Sequence, residues 1–63
     1  MYFLYGKFDD MKRFKPIDLT SQTFTNRLVY ASFYYDNEKE KAESVAKEIM
    51  IRNKGLKVVV RKH

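Results

Sequence analysis

The stretch Asn37–Leu56, NEKEKAESVAKEIMIRNKGL, decides the fold. Ala42, Val45, Ala46, Ile49 and Met50 recur at spacings of three and four, the apolar stripe of an amphipathic helix. Asn37 suits an N-cap, and Glu40 stands three residues on, where a carboxylate can reach back to the cap. Gly55 supplies the left-handed residue that ends many helices, which places Ile51 to touch Leu56 across the cap. Glu43 with Lys47, and Glu48 with Arg52, add charge pairs four residues apart. These features predict one helix over residues 38–54.

The flanking segments alternate rather than repeat every 3.6 residues. Residues 2–8 read as a strand with Tyr2, Leu4, Gly6 and Phe8 on one face and Phe3, Tyr5 and Lys7 on the other. Gly6 marks a bulge or a close approach by the helix. Asp9 to Met11 form a turn, and a second strand returns over 12–17. Pro16 lacks an N–H, so that strand is expected at an edge or ends there. A polar loop over 18–26 follows, with Leu19 and Phe24 as anchors. Residues 27–35 read as a third strand, and residues 56–61 as a fourth with Leu56, Val58 and Val60 inward. The expected order is β-β-β-α-β, an α+β single domain, residues 1–63, whose mostly antiparallel sheet carries one helix on one face. Counting reversals predicts a last strand parallel to the first and third, lying beside the first after a crossover.

Composition bounds the function. Sixty-three residues bury only about 60% of the surface of the unfolded chain. With no Cys, disulfides, zinc–thiolate sites and cysteine nucleophiles are all excluded. A content of 44% hydrophobic and 16% aromatic residues argues for a folded core rather than disorder. No run approaches the roughly 20 apolar residues of a membrane span, and Met1–Tyr5 is too short for a signal-peptide core. A cytoplasmic protein is expected, the host cytoplasm if a phage encodes it. The chain begins with Met1 and reads as a complete small gene product. His63 has no second His or Cys beside it, and Ser21, Ser32 and Ser44 have no recognisable base. The reading is therefore non-enzymatic, with no catalytic residue, no metal and no cofactor.

The net charge of +5 falls unevenly, because the helix carries five basic and four acidic residues. The excess lies on the strands and their ends, which suits an acidic or polyanionic partner as well as plain solubility. Lys12, Arg13 and Lys15 form one basic cluster, of the kind that also protects an edge strand. A single helix leaves one sheet face uncovered, expected to carry Phe3, Tyr5, Lys7, Tyr30, Ser32, Tyr34, Lys57, Val59 and Arg61. Of these, Tyr5, Lys7, Tyr30, Tyr34, Lys57 and Arg61 are the candidate binding residues. Aromatic rings interleaved with cations suit hot-spot anchors for a protein partner, or stacking and phosphate contacts for a single-stranded nucleic acid. The same rings suit the back of a small sheet or a homodimer interface.

Gly6-Lys7-Phe8, Arg13-Phe14-Lys15-Pro16-Ile17-Asp18, Phe24, Arg27-Leu28-Val29-Tyr30-Ala31-Ser32-Phe33, the Glu/Lys-rich helix and Val58-Val59-Val60-Arg61-Lys62 together carry a resemblance. The chain resembles small proteins encoded by bacterial phages and prophages. The resemblance implies an accessory protein that binds and inhibits or modulates a host macromolecule, such as a defence nuclease. It assigns no functional residue. Two readings therefore stand: a protein-binding module of this anti-defence type, and a nucleic-acid-binding protein.

Overall fold

The computed structural model describes every residue, Met1–His63. It contains a five-stranded antiparallel sheet and one helix: β1 Tyr2–Lys7, β2 Lys15–Asp18, β3 Thr23–Phe24, β4 Phe33–Tyr34, α1 Lys39–Arg52 and β5 Lys57–Lys62. The fold class is α+β, as the sequence predicted.

β1 lies at the centre. β5 pairs with its whole length along one edge, Tyr2 opposite Lys62 through to Lys7 opposite Lys57. Two short strands share the other edge: β2 pairs at Tyr5 and Gly6, and β4 pairs at Tyr2 and Phe3. Ser32 joins the two. Its N–H donates to the Ile17 carbonyl at 3.0 Å, and its Oγ accepts the Leu19 N–H at 2.8 Å.

The face of β1 toward α1 holds the main core. Leu4, Ile17, Ala42, Ala46 and Val58 are buried there, flanked by Tyr2, Leu19, Phe24, Tyr34, Val45, Ile49, Met50, Leu56 and Val60. Ala42 and Ala46 lie one turn apart, and their small side chains let the helix approach the sheet closely over Leu4. Leu19 and Phe24 act as the anchors expected of them, and Val58 and Val60 point inward.

Several expectations are corrected. The polar loop hides a strand, β3, which pairs with β2 after the turn Leu19–Gln22. The Asp18 carboxylate starts that turn by accepting the Thr20 N–H at 2.9 Å, and Gln22 takes φ +57°. This additional reversal inverts the direction of everything downstream. β4 and β5 therefore run antiparallel to β1, not parallel to it, and α1 carries the chain across β1 between them. β2 is not an edge strand. Pro16 accepts from the Thr25 N–H at 2.9 Å, so its missing donor points toward β3, where that ladder ends.

The third expected strand, 27–35, survives only as Phe33–Tyr34; Leu28–Tyr30 form a 3-10 turn. The helix is entered through a 3-10 turn at Asp36–Glu38, where Glu38 Oε1 accepts the Tyr35 N–H at 2.9 Å, so Asn37 is not the cap. At the other end Asn53 closes the helix: its backbone N–H and its Nδ2 both donate to the Ile49 carbonyl. Gly55, at φ +86°, makes the turn into β5. Ile51 is 83% exposed and takes no part in the core against which Leu56 packs. At Gly6 the close approach comes from β2 and β3 rather than the helix: an added Cβ would lie 2.8 Å from Ile17 Cδ1 and 3.2 Å from Phe24 Cε1.

Two substitutions test this core by chemical denaturation. Leu4→Ala, at a site with no exposed surface, is expected to cost about 2–5 kcal/mol. Gly6→Val is expected to cost about 1–3 kcal/mol by overpacking against Ile17 and Phe24.

Candidate interaction surface

The second face of the sheet is closed rather than open. Phe3, Tyr5 and Ala31 are buried there, with Phe14 packed against them. The chain between the 3-10 turn Leu28–Tyr30 and β4 supplies Ala31, and the segment before β2 supplies Phe14. The end of β5 supplies the lid. The Arg61 guanidinium lies 4.7 Å from the Tyr5 ring centre and 5.4 Å from that of Phe14. The His63 ring meets Phe3 edge-on at 5.2 Å and stacks on Tyr5 at 5.8 Å, and the Tyr5 hydroxyl bonds His63 Nε2 at 2.9 Å. Tyr5 is only 8% exposed, so its ring offers no free face to a base or a partner side chain.

The candidate residues thus separate. Tyr5 is core. Tyr34 lies on the helix side, against the main core, because β4 presents the opposite faces to those expected. A shift of one residue in the strand's alternation exchanges its two faces. Burial, then the nearby Glu38 carboxylate, raises the Tyr34 phenol above its ordinary pKa. Ser32 spends its hydroxyl on the Leu19 N–H. Lys7 and Lys57 stand directly opposite each other on β1 and β5. Neither of them, nor Arg61, has a carboxylate within ion-pair distance; the chain's ion pairs are Met1 with Asp36, Glu38 with Lys41 and Glu48 with Arg52. Tyr30 is 62% exposed but lies in the 3-10 turn, off the sheet.

Three residues absent from the expected set complete an exposed apolar strip with Tyr30. Val29 is 80% exposed, Tyr35 61% and Phe33 46%. Phe33 lies opposite Phe3 on the outer edge strand β4, and its ring meets Tyr35 edge-on at 5.5 Å. The strip is held in shape by the turn bonds Tyr30 N–H to Arg27 O and Ala31 N–H to Leu28 O, and by the burial of Ala31. A signal for it was present. The run Leu28–Tyr35 holds only one small polar residue, Ser32, and does not alternate as a half-buried strand would.

Two depressions also mark the surface. A groove of about 450 Å³ opens between the C-terminal end of α1 and the β2–β3 hairpin, floored by Phe8, Ile17, Phe24 and Leu56. A shallower one of about 290 Å³ is framed by Met11, Lys12, Arg13 and Lys15. No three His, Cys, Asp or Glu side chains converge on a metal-sized site, and no helix is long and apolar enough to cross a membrane. Comparison with protein-family models, curated proteins and solved structures gives no match.

The raised Tyr34 pKa has a pH consequence of definite sign. A folded value above the unfolded one contributes stability that is complete below about pH 10 and is lost as pH rises through the folded value. Alkaline denaturation monitored by circular dichroism is therefore expected to be shallower in Tyr34→Phe than in the parent chain.

Proposed function

We propose that this chain is a non-enzymatic interaction module that binds and inhibits or modulates a host macromolecule, foremost a protein. The observation that carries this reading is the strip Val29, Tyr30, Phe33 and Tyr35, exposed within seven residues on a scaffold with only nine buried residues. Tyrosine supplies large, stiff contact area with a polar tip and is enriched among the few residues that dominate interface energies. The strip is preorganised by its turn bonds and by Ala31, which lowers the entropy a partner must offset on binding. The resemblance to small phage and prophage proteins adds the kind of partner: a host factor, such as a defence nuclease, met in the host cytoplasm.

The second reading, nucleic-acid binding, draws on a different observation, the lysines Lys7 and Lys57 side by side without a carboxylate partner. In that reading Tyr30 and Tyr35 are the rings free to stack, while Tyr5 is held under Arg61 and His63.

Pull-down from a bacterial host lysate across a salt series separates the two. A protein complex that tolerates salt and weakens by at least about 2 kcal/mol in a Tyr30→Ser, Tyr35→Ser double variant supports the protein-binding reading. Both side chains are exposed, so the stability of that variant is expected to stay within about 0.5 kcal/mol per site. Binding to single-stranded oligonucleotides that falls steeply with salt, and is lost in Lys7→Ala with Lys57→Ala, would replace it.

A further inference from the structure

β5 is an edge strand of unusual regularity. It pairs with β1 through six consecutive positions, with no proline and no bulge, and with nothing on its other side. Its hydrogen-bonding phase follows from its end. Met1 and His63 exchange both backbone bonds, Met1 N to His63 O at 3.0 Å and His63 N to Met1 O at 2.8 Å. In an antiparallel ladder such pairs alternate with pairs that turn their polar groups outward. Arg61, Val59 and Lys57 therefore bond to β1, and the N–H and C=O groups of Lys62, Val60 and Val58 face away from the sheet. That edge is a ready template for one more strand.

Side-chain chemistry selects what the strand must be. From Gly55 to His63 the chain has no acidic residue. On the second face β5 presents Lys57, the 37% exposed Val59 and Arg61, with Lys7 behind Lys57 on β1. A second copy of this chain pairing β5 against β5 would crowd two sets of these cations onto one ladder, with Lys57 opposite Arg61 in the register centred on Val59, and like charges placed opposite in a ladder destabilise it. An acidic strand meets the opposite situation.

We infer that β5 is a docking edge that takes an acidic extended segment of a partner protein as a sixth strand. The segment carries carboxylates at positions i and i+4, opposite Lys57 and Arg61, and a β-branched apolar residue at i+2, opposite Val59. This edge lies across β1 from β4 and its aromatic strip, so the inference stands independently of the proposed anchors Tyr30 and Tyr35.

The test uses the terminally blocked peptide Thr-Glu-Thr-Val-Thr-Glu-Thr and amide hydrogen exchange read by NMR. Present at about twice its Kd, the peptide is expected to slow exchange about threefold at Val58, Val60 and Lys62, whose amides are unbonded in the free protein. The already bonded amides of Val59 and Arg61, slow from the start, are slowed by no more than that factor. The same peptide with Lys in place of Glu is expected to give no protection, and Lys57→Glu is expected to reverse the preference between the two. The Tyr30→Ser, Tyr35→Ser variant is expected to bind the acidic peptide as the parent does. Absence of protection at those three amides up to millimolar peptide would overturn the inference, as would equal protection by the lysine peptide. Protection that appears without peptide as the protein concentration rises, with a doubled mass in light scattering, would overturn it in favour of self-association. Displacement of the peptide by oligothymidine, with no strand-edge protection of its own, would assign the cations to phosphate and likewise overturn it.

Discussion

Leu4 has no exposed surface, and its neighbours Phe3 and Tyr5, whose side chains point to the opposite face, are each only 8% exposed. β1 is thus buried on both faces and paired along both edges, and the remaining elements are placed by what it needs. One face takes α1, which approaches through Ala42 and Ala46. The other is too small to receive a second helix from so short a chain. It is closed instead by whatever lies nearby: Phe14 before β2, Ala31 after the 3-10 turn, and Arg61 and His63 at the end of β5. The edges are filled with equal economy, one by all of β5, the other by two fragments joined at Ser32.

This use of residues explains where the chain has surface left for other molecules. The aromatic rings nearest the centre of the sheet are consumed by packing, and a cation over a ring is here a lid as much as a recognition element. The chain's freedom lies at the rims: the β4 side, where Val29, Tyr30, Phe33 and Tyr35 stand exposed, and the β5 edge, where cations stand without carboxylates. Charge and apolarity are therefore segregated to opposite sides of the sheet. At the N-terminal end of β1 the Met1 ammonium donates to Asp36 at 2.6 Å and draws the Asp36 carboxyl below its ordinary pKa, tying the start of the sheet to the entrance of the helix.

Much of this was legible in the sequence. The helix stripe and the inward set Val58 and Val60 are periodic signals that match the burial observed. The alternation of Tyr2–Lys7 sorts that strand's side chains onto the right faces but not their burial, since both faces are covered. What escaped was short. β3 is two residues of Thr and Phe inside a polar loop, held by β2 pairing and an Asx turn rather than by any pattern of its own. Missing it miscounted the reversals, and a miscount of one turns a parallel last strand into an antiparallel one. The same brevity applies to β4. Eight nearly uniform apolar residues from Leu28 to Tyr35 have no period to read, so the 3-10 turn within them and the face on which Tyr34 lies were set by tertiary contacts. Tyr5 illustrates the limit for sites: its face was read correctly, but its cover came from His63, more than fifty residues away in the chain.

The whole arrangement rests on β1 lying against β5 antiparallel, in the register that brings His63 over Tyr5. Proton NMR reads it directly, because the pairs that do not exchange hydrogen bonds bring their Cα atoms to about 4.5 Å. Strong Hα–Hα cross-peaks are expected for Tyr2 with Lys62, Leu4 with Val60 and Gly6 with Val58, together with contacts from the His63 ring to Tyr5 and Phe3. Absence of those three cross-peaks, with contacts typical of a parallel pair between β1 and β5 in their place, would contradict it.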